Sequence, residues 1–120
     1  MSQSRKYRGY ATQSIVAEYL QQHGFPYAAS AGAGRKGTDI TGTVGLDWEV
    51  KARRNINLVG LIRQMTDRTD GVDLRLGVVR PDGVGPSTIA DWPAVLPLSD
   101  LVNLLRAVGY GDLQTQTEGE

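Results

Sequence analysis

Trp48-Glu49-Val50-Lys51 reads as part of a β-strand, and a strand turns successive side chains to opposite faces. Glu49 and Lys51 therefore share one face, while Trp48 and Val50 share the other and are suited to a core. Asp39 stands at the start of the preceding strand. Segments 38–43 and 46–52, turning around Gly42 and Gly45, are expected to pair as a hairpin. Paired strands lie about 4.8 Å apart, which lets Asp39 and Glu49 converge at one end of the sheet. Two carboxylates with a gap between them suit a hard divalent cation whose remaining positions are filled by water and phosphate oxygens. The main-chain carbonyl of Val50 adds a neutral ligand. Such an ion polarises a phosphodiester and lowers the pKa of a bound water, with Lys51 placed to position that water or balance developing charge. The same spacing also suits a surface Glu–Lys pair beside a hairpin aspartate, a commoner and energetically minor arrangement.

Composition narrows the chemistry. The chain has 120 residues, enough for one domain, and 40% of them are hydrophobic, enough for one core. It has no cysteine, which removes disulfides, thiolate metal sites and cysteine nucleophiles together. With His23 as the single histidine, a histidine-rich centre or a Ser-His-Asp triad is not expected. A metal would be held by oxygen, which points to Mg2+ or Mn2+. No apolar run approaches the roughly 20 residues that a membrane helix needs, so no membrane partner is expected. Residues 1–6 are polar or basic beyond Met1, and a cytoplasmic location is the expectation.

The net charge of zero conceals an asymmetry. Residues 1–68 carry ten Lys/Arg against five acids, and residues 69–120 carry three against eight. A polyanion needs local positive charge and not a positive total, so the first half is a candidate polyanion-binding face, with chance scatter of solvated charges as the alternative. Arg35 and Lys36 sit among glycines just before Asp39, and Arg53 and Arg54 continue from Lys51. Arg5, Lys6 and Arg8, interleaved with Tyr7 and Tyr10, form a basic and aromatic amino-terminal run of the kind that suits an unstacked strand.

The elements that must position these groups follow from periodicity. Ala11, Ile15, Val16, Tyr19 and Leu20 recur at helical spacing between Arg8 and His23, and Gly24 and Pro26 end the helix. Residues 27–29 form a short strand and 30–37 a small-residue basic loop. Asn57 caps a second helix through Leu58, Leu61, Ile62 and Met65, and residues 74–79 form a buried strand. Residues 87–92 are expected to add an edge strand, and Ser99 to cap a last helix over 100–108. Leu101, Val102, Leu104 and Leu105 make that helix strongly apolar, suited either to the core or to a dimer face. The predicted architecture is α/β, a central mixed sheet flanked by helices, in a single domain over 1–110 with a polar, disordered tail at 111–120.

Gly37-Thr38-Asp39-Ile40 followed by Trp48-Glu49-Val50-Lys51 resembles the signature of the PD-(D/E)XK nuclease superfamily. Arg8-Gly9, the first helix, His23-Gly24-Phe25 and Ser30-Ala31-Gly32 are further similar to archaeal-type Holliday-junction resolvases. The likeness covers roughly residues 5–80 and ends at Pro81. It implies a restriction-endonuclease-like core and a magnesium-dependent homodimer that cuts branched DNA. Asp39 and Glu49 would bind metal, Lys51 would serve the nucleophile, and Ser30 would meet the DNA backbone near the cut. Those resolvases carry a glutamate in the first helix, four residues after the glycine matching Gly9, where this chain has Gln13. Gln13 is the favoured replacement in the catalytic set. Glu18, about 500° further round the helix from Gln13, is assigned to the surface, with an accessory role as its alternative. Gln64 in the second helix matches a position where nuclease relatives place a polar residue facing the metal. Two other outcomes stay open: a general nicking or restriction-like endonuclease on duplex or flap DNA, and a catalytically inactive DNA-binding protein on the same fold.

Overall fold

The computed structural model describes residues 2–32, 37–52, 55–68 and 74–112, and of residues 2–7 the backbone alone. Its element order is α1 (Ser2–Gln21), β1 (Ala29–Ser30), β2 (Ile40–Thr41), β3 (Leu46–Ala52), α2 (Leu58–Arg68), β4 (Leu74–Arg80), a 3-10 helix (Pro86–Asp91), β5 (Ala94–Val95) and α3 (Leu98–Ala107). The expected α/β class is observed as a three-stranded mixed sheet, order β3-β4-β5, with helices and a small β1-β2 pair. β3 and β4 run parallel, Leu46 opposite Leu74 through Ala52 opposite Arg80. A parallel pair needs a crossover, and α2 supplies it.

The two faces of β3 differ as alternation dictates. Trp48 and Val50 enter a core with Val16, Ala17 and Leu20 of α1, together with Ala28, Ile40 and Trp92. A second cluster, Leu61 and Met65 of α2 with Val79 of β4, covers the sheet's other side. Gly77 of β4 allows this close packing, since a Cβ there would lie 3.3 Å from both Leu61 Cδ2 and Met65 Sδ. Ile40 is fully buried in the first cluster. Ile40→Val should therefore cost about 1 kcal/mol in urea unfolding at unchanged slope, as expected for one methylene lost from a packed core.

Three expectations need correction. Segments 38–43 and 46–52 do not form a hairpin ladder: β2 pairs with β1, Ser30 opposite Ile40, while β3 gives its ladder to β4. The signal came from a real turn, closed by the Leu46 N–H on the Thr43 carbonyl at 3.1 Å. Gly42, just before it, is held at φ 82° with its Cβ position 1.9 Å from the Tyr27 carbonyl oxygen, so no side chain fits there. The edge strand expected at 87–92 is instead the 3-10 helix, started by Pro86. The Thr88 hydroxyl bonds back to the Gly85 carbonyl at 3.1 Å and receives the Trp92 indole N–H at 3.3 Å, local bonds that compete with a strand. The strand falls later, at β5, antiparallel to β4. Finally, α3 begins after Pro97, not Ser99, because the Pro97 carbonyl already accepts from the Asp100 and Leu101 amides.

Candidate active site

β3 lies at the edge of its sheet, and residues 38–39 run along that edge. The Asp39 N–H donates to the Trp48 carbonyl at 2.9 Å, and the Trp48 N–H donates to the Thr38 hydroxyl at 2.8 Å. Two residues along, the Val50 N–H donates to Asp39 Oδ2 at 2.8 Å. The backbone groups of Trp48 and Val50 thus face the free edge, which also brings the Val50 carbonyl to Asp39's side of the strand. Thr38 was given no role of its own from the sequence. Its hydroxyl also donates to the Ile40 carbonyl at 2.8 Å, and the Thr-Asp pair before a strand was its available signal.

Glu49 is 4% exposed and held on three sides. Lys51 Nζ lies 3.1 Å from its Oε2, Gln64 Nε2 donates to the same oxygen at 3.1 Å, and Arg68 donates to its Oε1. Arg68 also grips Asp47, Nη2 to Oδ1 at 2.6 Å, and donates to the Trp48 carbonyl at 3.0 Å. Burial works against the Arg68 charge, but hydrogen bonds to Asp47 and Glu49 and the charges of both carboxylates outweigh it and raise its pKa. Asp47 and Arg68 were missed as site residues. Asp47 was legible in principle, because it shares Glu49's face two residues earlier on the strand. Arg68 lies 19 residues beyond Glu49, and only the crossover through α2 brings them together.

Asp39 has its pKa raised above the ordinary 3.8: burial raises it most, the Val50 N–H lowers it, and the negative charge of Glu49 raises it again. Arg68 and Lys51 lower it by smaller amounts. Asp39 and Glu49 therefore sit within each other's field. A carboxyl whose pKa is raised by folding binds its proton more tightly in the native chain, so stability falls as pH climbs from about 3.8 through the folded value. Asp39→Asn keeps an acceptor for Val50 and removes the charge. Its melting temperature should exceed the parent's at neutral pH, and the difference should vanish below pH about 4.

The other predicted residues divide. Gln13 Oε1 accepts the Ser30 hydroxyl at 3.0 Å, and the next residue, Ala31, donates its N–H to the Asp39 carbonyl at 2.9 Å. Gln13 and Ser30 are thereby tied to the segment carrying Asp39. Glu18 is exposed and lines, with Ser14, Gln21 and Ser30, an open cavity of about 360 Å³. Arg8 pairs with Asp82 at 3.2 Å, each side chain 40% exposed. Arg35, Lys36, Arg53 and Arg54 lie outside the described residues, as do the side chains of Arg5 and Lys6 and, from the expected tail, residues 113–120. His23 is exposed, stacked on Tyr19 with ring centroids 4.1 Å apart.

Asp39 and Glu49 offer the hard oxygen donors that Mg2+ or Mn2+ requires, and a cation would relieve the repulsion between them. Among the described residues no group of three or more acidic or histidine side chains is arranged to hold a metal. Glu49's oxygens are meanwhile taken by Arg68, Lys51 and Gln64, so an ion must compete with Arg68 for this carboxylate. No described helix is long and apolar enough to cross a membrane. In comparisons with family models, curated proteins and solved structures, the chain matches none.

Proposed function

We propose that the chain is a metal-dependent DNA endonuclease with a restriction-endonuclease-like core, acting on four-way junctions as a homodimer. One observation carries this reading: Asp39 Oδ2 accepts the Val50 N–H at 2.8 Å, beside Glu49 and Lys51, which are themselves paired at 3.1 Å. Asp39, Glu49 and the Val50 carbonyl would hold Mg2+ or Mn2+, which supplies Lewis-acid polarisation of the scissile phosphate when bound. Lys51, fixed by Glu49, holds a proton-donating ammonium where charge develops on the phosphate oxygens. Gln13 and Ser30, bonded to each other, orient the strand backbone at Asp39's side. For Glu49 to take a cation, Arg68 releases it and stays on Asp47, which keeps the guanidinium neutralised.

The basic residues of the first half, Arg8, Arg35, Lys36, Arg53 and Arg54, would contact phosphates, a sequence-independent attraction that weakens with salt. A second reading is favoured by the Arg68 grip on Glu49 and by Gln13 in place of an acid: a DNA-binding protein that does not cut. One assay separates these, incubating purified protein and magnesium with a four-way junction and a matched linear duplex. Paired nicks confined to the junction support the resolvase, and cutting of both substrates supports a general nicking or restriction-like enzyme. Binding without cutting supports the inactive alternative.

A further inference from the structure

α3 has an apolar face but no buried residue, and neither core cluster draws a side chain from it. Leu98 and Val108 are 74% and 71% exposed, Leu101 37% and Leu105 40%. A helix of ten residues is marginal in water by itself, so an uncovered apolar face of this size calls for a partner. Among the described residues none buries this face.

The spacing indicates what covers it. Leu98, Leu101, Leu105 and Val108 follow one another at intervals of three, four and three, the a/d repeat of a two-helix seam. The pattern is self-complementary when reversed: in an antiparallel pair Leu98 faces Val108 and Leu101 faces Leu105 of the other copy. The helix charges do not oppose this, because Asp100 is paired with Arg75 at 3.1 Å and Arg106 with Asp112 at 3.3 Å, leaving the seam uncharged. Antiparallel helices also oppose their dipoles favourably. We infer that α3 is a homodimer interface, packing antiparallel against α3 of a second copy about a two-fold axis. Two such faces bury on the order of 1,000 Å² in total, the low end for specific association, which fits a weak, reversible dimer. This deepens the homodimer of the proposed function, and because association is read without DNA or metal, its failure is distinguishable from a failure of the chemistry at Asp39 and Glu49.

Sedimentation of the full chain from about 1 to 100 µM tests it, a range that brackets micromolar association. The expected result is a shift from one to two chain masses, abolished over this range by Leu101→Glu with Leu105→Glu, a weakening of about a hundredfold or more. These side chains are outside both cores, and an unchanged thermal unfolding transition of the variant shows that the fold persists. Because the chain has no cysteine, mixing Leu101→Cys and Leu105→Cys proteins should give a crosslinked heterodimer in preference to either homodimer. A chain that remains monomeric throughout, or a dimer untouched by the paired glutamates, overturns the proposal. Crosslinking of Leu101→Cys chiefly to itself overturns the antiparallel register.

Discussion

Arg68→Ala should destabilise the chain by about 3–5 kcal/mol, the range found when one partner of a buried ion pair is removed. Asp47 and Glu49 have side chains 8% and 6% exposed, and Arg68 is the cation they share. Truncation leaves Asp47 buried without that cation and leaves Glu49 with Lys51 alone among the charged groups described around it. The cost is desolvation left uncompensated, not the net worth of a salt bridge, which in a surface setting would be under about 1 kcal/mol. Combining Arg68→Ala with Asp47→Asn and Glu49→Gln should recover a large part of the loss, because neither buried carboxylate is then left charged without its cation. Urea unfolding of the parent, the single and the triple variant measures both quantities. A loss below about 1 kcal/mol for Arg68→Ala would mean that the site is wetter than its exposure indicates.

The second large effect falls on activity. If the chain cuts DNA through an ion held by Asp39 and Glu49, Asp39→Asn should lower cleavage roughly a thousandfold, equivalent to about 4 kcal/mol of transition-state stabilisation. The asparagine oxygen still accepts the Val50 N–H, so the backbone at the β3 edge is preserved and the loss reports on charge. Together with the gain in stability expected for the same substitution at neutral pH, this makes Asp39 a residue whose charge burdens the fold and serves the reaction. Activity measured beside thermal unfolding separates the two. A variant that is more stable and still cuts at parental rate contradicts a catalytic role for Asp39.

The division of β3 into two faces was legible from alternation alone: Trp48 and Val50 are in the core, and Glu49 and Lys51 lie together opposite them. The first helix and the helix α2 were legible from helical spacing, although α1 runs further toward the amino terminus than its apolar pattern. Strand partnership was not legible. Gly42 and Gly45 mark a turn whether or not a ladder follows, and here a threonine hydroxyl and an aspartate carboxylate bond the β3 edge where a hairpin would place backbone groups. The Arg68 clamp was hidden for a related reason. Its charge reads as one more basic residue until the parallel pairing of β3 with β4 folds α2 back over Glu49. Gly77, which looks like a weak point in a strand, is what lets that helix come close.

Cleavage at this site would require the Asp39 and Glu49 carboxylates to share one hard cation. A crystal of the chain soaked in Mn2+ and measured at a wavelength where manganese scatters anomalously tests it most directly. An anomalous peak is expected between those two carboxylates, with Arg68 withdrawn from Glu49 and still bonded to Asp47. Arg68 unmoved on Glu49 at millimolar Mn2+, with no peak at Asp39, would contradict it.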